Sequence, residues 1–324
     1  MMNPDISVVI PSHNEGLLLL EAVSSVLDQI KQKDASPRIE IIVVDDRSKA
    51  PETLEILDTL PQLSPDVFVF TNPSTPGPAA TRNFGISKAR STWIAFLDAD
   101  DLWTAGSLHD RWNAICSHSK AEWIASDYLI LNKIGQLEET PAHAARPAVQ
   151  ELLLTGLPLP NGWHLRRPAR EFIQLTLAWT GSVMCTKALL LRAGGFNEDL
   201  LNAQDVHLWT KLATLTDFYY IRHPWAIYRI RPGSQTNSGK PPAQWGIKAF
   251  QALLSDPEMA EWKSLIHKRL ARMARSDAHF MRSRGRPMDA LSSAGLAVKY
   301  DPTNFKSWRE VAKTPLALFH GRVD

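Results

Sequence analysis

The sequence predicts an α/β chain: a doubly wound, mostly parallel sheet followed by an α-helical extension. Short apolar runs rich in β-branched residues alternate with segments of helical periodicity through the first hundred residues. Polar clusters close the ends of those runs, and from about Ala243 the periodicity is helical throughout. The 324 residues suit one large α/β domain with an appendage, long enough to bury a core without disulfide staples.

Ile6 to Ile10 reads as a strand stopped at Pro11, and Glu15 to Gln29 puts Leu18, Leu19, Ala22, Val23, Val26 and Leu27 on one helical face. Ile39 to Val44 is a second apolar run, consistent with a strand buried on both faces, and Glu52 to Leu60 has helical spacing. Val67 to Thr71 makes a third strand, Ala79 to Ala89 a helix and Trp93 to Leu97 a fourth strand. Pro141 to Pro168, with Pro158, Pro160 and Asn161-Gly162, reads as loop or short helix. A helix through Leu189 stops at Gly194-Gly195, and Asp205 to Leu215 forms another. In the extension, Trp245 to Leu254, Glu261 to Arg284 and Met288 to Tyr300 are helical, with a break at Gly285 to Pro287 and no evident internal repeat.

Lys+Arg 36 against Asp+Glu 34, with 44% hydrophobic residues, is a globular composition without a global charge. The balance is uneven along the chain: residues 1–239 hold 21 basic and 26 acidic residues, residues 240–324 hold 15 and 8. Two cysteines, Cys116 and Cys185, without C-x-x-C or a His/Cys cluster, exclude a zinc ribbon and a disulfide framework and point to a reducing, cytoplasmic location. Residues 1 to 5 carry neither a basic nor an apolar leader region, and no run approaches about 18 apolar residues, so neither a leader nor a membrane span is expected. The absence of G-x-G-x-x-G after the first strand disfavours a dinucleotide oxidoreductase, and no nucleic-acid reader motif is present. A nucleotidyltransferase is disfavoured too, for want of a Gly-rich phosphate loop near the N-terminus.

Pro11 to Glu15, Asp45 to Ser48 and Asp98 to Asp101 each follow a predicted strand, where open α/β sheets bind ligands. Asp98 and Asp100 leave an extended chain on the same side and suit Mg²⁺ or Mn²⁺; the alternative is capping of a helix N-terminus. Asp45 can accept from a nucleobase or ribose, or cap the helix that follows. Arg82, after the Gly77-Pro78 turn, suits phosphate, or a local ion pair.

Val8 to Glu15, Ile41 to Ser48, Gly77 to Gly85 and Phe96 to Trp103, in that order and spacing, resemble the family 2 glycosyltransferases over about residues 5 to 232. The resemblance implies the GT-A fold for residues 1–239, with a nucleotide-binding half to about 105 and an acceptor half over about 106–239; residues 240–324 form a basic α-helical extension outside it. It implies metal-dependent, inverting transfer from a nucleotide-sugar, usually a UDP-sugar, to a hydroxyl of a glycan or lipid-linked acceptor in polysaccharide or glycoconjugate synthesis. Pro11, Asn14, Glu15 and Asp45 would surround the nucleoside, Arg82 the diphosphate, and Asp98 and Asp100 the Mn²⁺ or Mg²⁺, with Asp98 also on the donor side. Asp205, after Gly194-Gly195-Phe196, matches the catalytic base.

Four positions depart from the family's usual residues: His13 for Tyr, Arg47 for Gly, Gln204 for Glu and Arg231 for His. The last two motivate the alternative of a nucleotide-sugar-binding homologue with weak or no turnover. His223 is an alternative metal ligand, although a lone His beside Pro is more often structural. Trp163 and Trp179 suit sugar stacking or packing, while Trp209, beside Leu208 and three before Leu212, has core spacing. Lys263, Lys268, Arg269, Arg272, Arg275, Arg282, Arg284 and Arg286 suit peripheral contact with an anionic inner membrane face. Their alternative is a solvated face packed through Leu265, Leu270, Met273 and Phe280. No nucleic-acid partner is expected.

Overall fold

The computed structural model describes residues 4–30, 37–231 and 242–320, the side chains of 242 and 314–320 excepted. The first half alternates as predicted: β1 (Ile6–Ser12), α1 (Leu17–Ile30), β2 (Ile39–Asp45), α2 (Pro51–Leu63), β3 (Val67–Thr71), α3 (Pro78–Lys88) and β4 (Trp93–Phe96). Pro11 does not stop β1; it lies within the strand, one residue from its end. There follow β5 (Leu102–Trp103), α4 (Ser107–Ser117), β6 (Trp123–Ser126), β7 (Leu129–Leu131), α5 (Pro147–Leu153), β8 (Leu157–Leu159), β9 (Gly162–Leu165) and α6 (Ala169–Gln174). Then come β10 (Val183–Thr186), α7 (Lys187–Arg192), α8 (Gln204–Leu215), β11 (Phe218–Ile221) and β12 (Ala226–Arg229). The extension is α9 (Pro242–Ser255), α10 (Lys263–Ser283), α11 (Pro287–Tyr300) and α12 (Phe305–His320).

One nine-stranded sheet runs in the order β3-β2-β1-β4-β10-β6-β11-β9-β8. β1 pairs in parallel with β2 and β4, and β2 with β3; the residues of β1, β2 and β4 are almost all buried, whereas β3, at the edge of the sheet, buries only Val67. That burial on both faces explains why β1, β2 and β4 read as apolar runs, broken inside only by Ser7 and Glu40, which are buried and bonded to one another at 2.6 Å. The chain steps outward from β1 to β2 and β3, then returns to the other side of β1 as β4, so the strand order reverses between β1 and β4. In such sheets the crevice beyond the carboxyl ends at the reversal is where ligands enter.

β10 is antiparallel to both β4 and β6, and β6 is parallel to β11. The carboxyl ends of β4 and β6 and the start of β10 therefore share one edge. The stretch read as loop or short helix contains the β8/β9 hairpin, which extends the sheet through antiparallel pairing with β11. Pro158 is accommodated because β8 is the outermost strand. A second sheet, β5-β12-β7, joins Leu102 and Trp103 to Ala226 and Ile227 and carries the chain from β12 back toward Asp101.

Two compact units result, one of Met1–Leu201 with Leu208–Pro232, the other of Asn202–His207 with Gly233–Asp324. The predicted boundary at 239/240 falls among residues outside the described ones. In the first unit, Leu19, Ala22, Val23 and Val26 of α1 are buried in a core shared with β1, β2 and β4. α3 packs on the same sheet at Gly85, where an added Cβ would stand 2.5 Å from Val9 Cγ1 of β1. Within the second unit, α10 packs with α9, α11 and α12. Among the described residues no helix is long and apolar enough to cross a membrane.

Candidate active site

The loops beyond β1 and β2 are tied to one another before any ligand is considered. Asn14 turns with φ 59°, its N–H donates to Ser48 Oγ at 2.8 Å, and its Oδ1 accepts from the N–H groups of Lys49 (2.7 Å) and Ala50 (2.9 Å). Asp45, buried at the end of β2, accepts the Ser48 N–H with both oxygens, at 3.2 and 3.1 Å. Asp46 fixes the next loop by accepting from Asn72 Nδ2 at 2.8 Å and Gly77 N at 2.7 Å. Arg47, with φ 62°, donates to the Ser74 carbonyl at 2.6 Å. Asn14 and Asp45 thus commit these groups to the loops, forming a rigid rim.

α3 begins after Gly77, whose φ of 138° suits glycine, with Pro78 at the first helical position. Arg82 projects from its second turn, buried, and its Nη2 donates to Asp98 Oδ1 at 2.5 Å. Its Nε and Nη1 are buried without a hydrogen-bond partner, and its guanidinium lies 5.5 Å from the Phe196 ring centroid. Asn83 accepts from Phe196 N and donates to Phe196 O, both at 2.9 Å. Gly195, with φ 71°, allows this approach: a Cβ there would meet Asn83 Oδ1 at 2.7 Å. The Gly194-Gly195-Phe196 segment is therefore latched to the helix that carries Arg82.

Beyond β4 the acidic run divides its labour. Asp101 is buried and accepts from Arg229 N at 2.8 Å, so it fastens β12 to this loop. Asp100 Oδ2 accepts from Arg231 Nε at 2.8 Å, and Arg231 Nη2 pairs with Glu15 Oε2 at 2.5 Å. One guanidinium thereby bridges the loops after β1 and β4. Burial raises the Asp100 pKa, repulsion by Asp98 raises it further, and Arg231 works against both. Burial likewise raises Glu15, helped by Asp100 and opposed by Arg231. Burial raises Asp101 well above the usual range, with repulsion from Asp100 and Asp98.

These residues fit a hard cation. Half-buried carboxylates crowd one another, and the oxygen-only donor set suits Mg²⁺ or Mn²⁺. Among the described residues no group of three or more His, Cys, Asp or Glu stands ready to hold a metal. Asp98 and Asp100 would supply one or two ligands, leaving the remainder to water and a diphosphate.

The structure thus gathers Pro11, Asn14, Glu15, Asp45, Arg82, Asp98 and Asp100 at the carboxyl edge of β1, β2 and β4. Asp205 belongs to the segment Asn202–His207 of the other unit, in the first turn of α8 after Ala203 with φ 56°, and its Oδ1 accepts from Val206 N at 2.8 Å. His223 pairs with Asp110 at 2.8 Å. Trp209 is fully buried, with its ring 6.2 Å from Phe96 and 5.7 Å from Phe196. Trp163 is buried too, beside Tyr220 and under Arg222.

Sequence reading singled out Trp179 but missed its partners and one support. Tyr128, Trp179 and Tyr228 form an aromatic wall, with centroids 4.7 Å apart for Tyr128 and Trp179 and 5.6 Å for Trp179 and Tyr228. Arg111, fully buried between Trp103 and Trp225, donates to Gly181 O at 3.0 Å and so supports the turn that follows Trp179. No local pattern announces either grouping, because its members come from separate helices, strands and loops.

Comparison with known proteins gives this architecture its class. Residues 7–192 match the model of glycosyl transferase family 2, and the chain belongs to that family. A putative teichuronic acid biosynthesis glycosyltransferase, TuaG of Bacillus subtilis, is 33% identical over 108 residues, 33% of this chain and 40% of the relative. The S. aureus TarS fragment 1–349 in complex with UDP-GlcNAc superposes with TM-score 0.64 at 18% identity, over 98% of this chain and 92% of that one. The mannosyltransferase PcManGT of Pyrobaculum calidifontis, in complex with GDP-Man and Mn²⁺, superposes with TM-score 0.58 at 18% identity, over 98% and 81%. At these identities the superpositions establish the fold, a GT-A α/β sheet with C-terminal helices. The chain spans less than half the length of the curated relatives it matches.

Proposed function

We propose that the chain is a metal-dependent, inverting glycosyltransferase that takes a sugar from a UDP-sugar to a hydroxyl of a polysaccharide or glycoconjugate acceptor. The observation that carries this reading is the gathering of Glu15, Asp98 and Asp100 with Arg82 and Arg231 where the strand order reverses. Support for the donor comes from the UDP-GlcNAc complex of the TarS neighbour, and for the acceptor class from the teichuronic acid relative.

In this reading Asp98 and Asp100 hold Mn²⁺ or Mg²⁺, which when bound offsets negative charge on the departing diphosphate. Arg82 and Arg231 exchange a carboxylate for a phosphate oxygen, Arg82 with two buried N–H groups still to satisfy. The rim of Pro11, Asn14, Glu15 and Asp45 borders the nucleoside. The Trp179 wall offers aromatic faces to a sugar ring. Asp205 takes the acceptor hydroxyl's proton as that oxygen bonds to the anomeric carbon and the bond to the diphosphate breaks.

Asp205→Asn separates binding from chemistry. UDP binding in the presence of Mn²⁺ is expected to stay within about twofold, while turnover falls by about 10²-fold or more. Retained turnover would remove Asp205 from the base role. Hydrolysis of UDP-GlcNAc by the wild type with added Mn²⁺ excludes a binding protein without turnover.

A further inference from the structure

In the second unit, α10 and α12 carry one pattern in a register of 34 residues. Ala274, Asp277 and Ala278 of α10 correspond to Trp308, Val311 and Ala312 of α12, and Arg272, Arg275 and His279 correspond to Lys306, Arg309 and Lys313. Between them Ala290, Ala294 and Ala297 of α11 are fully buried, and Pro302 follows. An aromatic at the first position, apolar and small residues three and four places on, then spaced small residues and a Pro, is the pattern of 34-residue tetratricopeptide helix hairpins. α10 and α11 form such a hairpin, turning at Gly285 with φ 66°, and α12 repeats its first helix.

The two first helices differ in what covers them. On α10, Ala274, Asp277, Ala278 and Met281 are buried, and Asp277 accepts from Ser293 of α11 at 2.6 Å. On α12 the corresponding stripe is open: Trp308 is 52% exposed, Ala312 is exposed and Val311 half-buried, with Phe305 78% exposed one turn earlier. The opposite side of α12 is closed against α10, where Arg275 donates to Ser307 at 3.1 Å and Arg282 pairs with Glu310. Trp308 is held in place by donation from its Nε1 to Pro302 O at 2.8 Å, a rigid aromatic anchor of the kind that dominates interfaces.

We propose that this face of α12 docks an amphipathic helix of a partner protein, one with a small or apolar stripe like that of α11 and acidic flanks. The stripe sets the shape, because α11 shows what packs on the equivalent surface of α10. The flanks follow from charge: Lys306 and Arg309 stand exposed beside Trp308, with Lys313 two turns on from Lys306. A second copy of this chain would bring like charges together, which disfavours self-association through this face.

The test uses the full chain and a labelled synthetic peptide of residues 286–301 in which three outward positions are changed, Ser292→Glu, Gly295→Glu and Lys299→Glu. Fluorescence anisotropy is expected to show saturable binding below about 100 μM, weakened at least tenfold by Trp308→Ala. Lys306→Glu with Arg309→Glu is expected to shift preference to the same peptide carrying Lys at the three positions. Both variants should melt with the wild type and hydrolyse UDP-GlcNAc equally, since neither touches the carboxylate site. Absence of binding, or binding unchanged by Trp308→Ala, overturns the proposal. So does Trp308-dependent sedimentation with phosphatidylserine vesicles, which assigns the face to a membrane, or a Trp308-dependent dimer in light scattering, which assigns it to a second copy.

Discussion

Arg231 bonds Asp100 at 2.8 Å and pairs with Glu15 at 2.5 Å, setting one cation between carboxylates that burial and mutual repulsion push toward protonation. A divalent ion offered to the site alone must compete with that guanidinium. Arg231→Met is therefore expected to tighten Mn²⁺ binding in calorimetry by about tenfold while weakening UDP binding, because the diphosphate loses a cationic partner. Tighter UDP binding would show that Arg231 merely blocks the site. The bridge was illegible in sequence, since 131 residues separate Arg231 from Asp100 and the two meet only once β12 is placed beside β5.

His143 gives a second handle at this scale. It is buried, with Nδ1 3.2 Å from Tyr220 Oη, and Asp127 accepts its backbone N–H at 2.8 Å. Burial lowers its pKa from 6.5 to about 4, with Arg146 adding to the shift and Asp127 opposing it. The unfolded chain therefore binds a proton that the folded chain refuses between these values. Stability from this group is intact above pH 6.5 and falls as the pH drops toward 4, by about 3 kcal/mol at most. Melts of wild type and His143→Gln between pH 7.5 and 4.5 check it: the variant should show the shallower acid slope, and parallel curves would contradict the assignment.

At the scale of elements, β1 to β4 and α1 to α3 were legible because buried parallel strands leave apolar runs and their covering helices leave a stripe. Strands of two or three residues, β5, β7 and β8, leave no such period, and Pro158 and Pro160 hid the β8/β9 hairpin. The repeat in the extension stayed hidden because α10 uses Ala274 where α12 has Trp308. α3 has a tight clearance: at Gly85 an added methyl stands 2.5 Å from Val9. Gly85→Ala is expected to cost about 2 kcal/mol, lowering the melting temperature by several degrees, and to weaken UDP binding by displacing Arg82. An unchanged melt would mean that α3 slides without cost.

At the scale of the whole molecule, the family and the GT-A fold rest on ordered motifs spread over about two thirds of the chain, and the sheet explains their order. Each acidic cluster ends a strand, and the reversal between β1 and β4 turns sequence-remote clusters into one edge. What depends on long-range pairing, namely the Arg231 bridge, the Arg111 support and the aromatic wall, needed the assembled sheets.

Calorimetric titration of the full chain with UDP, with Mn²⁺ and then with EDTA, compared with Asp100→Asn, measures the central property directly. Micromolar binding that needs Mn²⁺ and weakens by about tenfold or more in the variant is the expected result. Equal affinity in EDTA, or an Asp100→Asn variant that binds UDP with Mn²⁺ as the wild type does, would contradict the assignment of this edge to a metal-bound nucleotide-sugar.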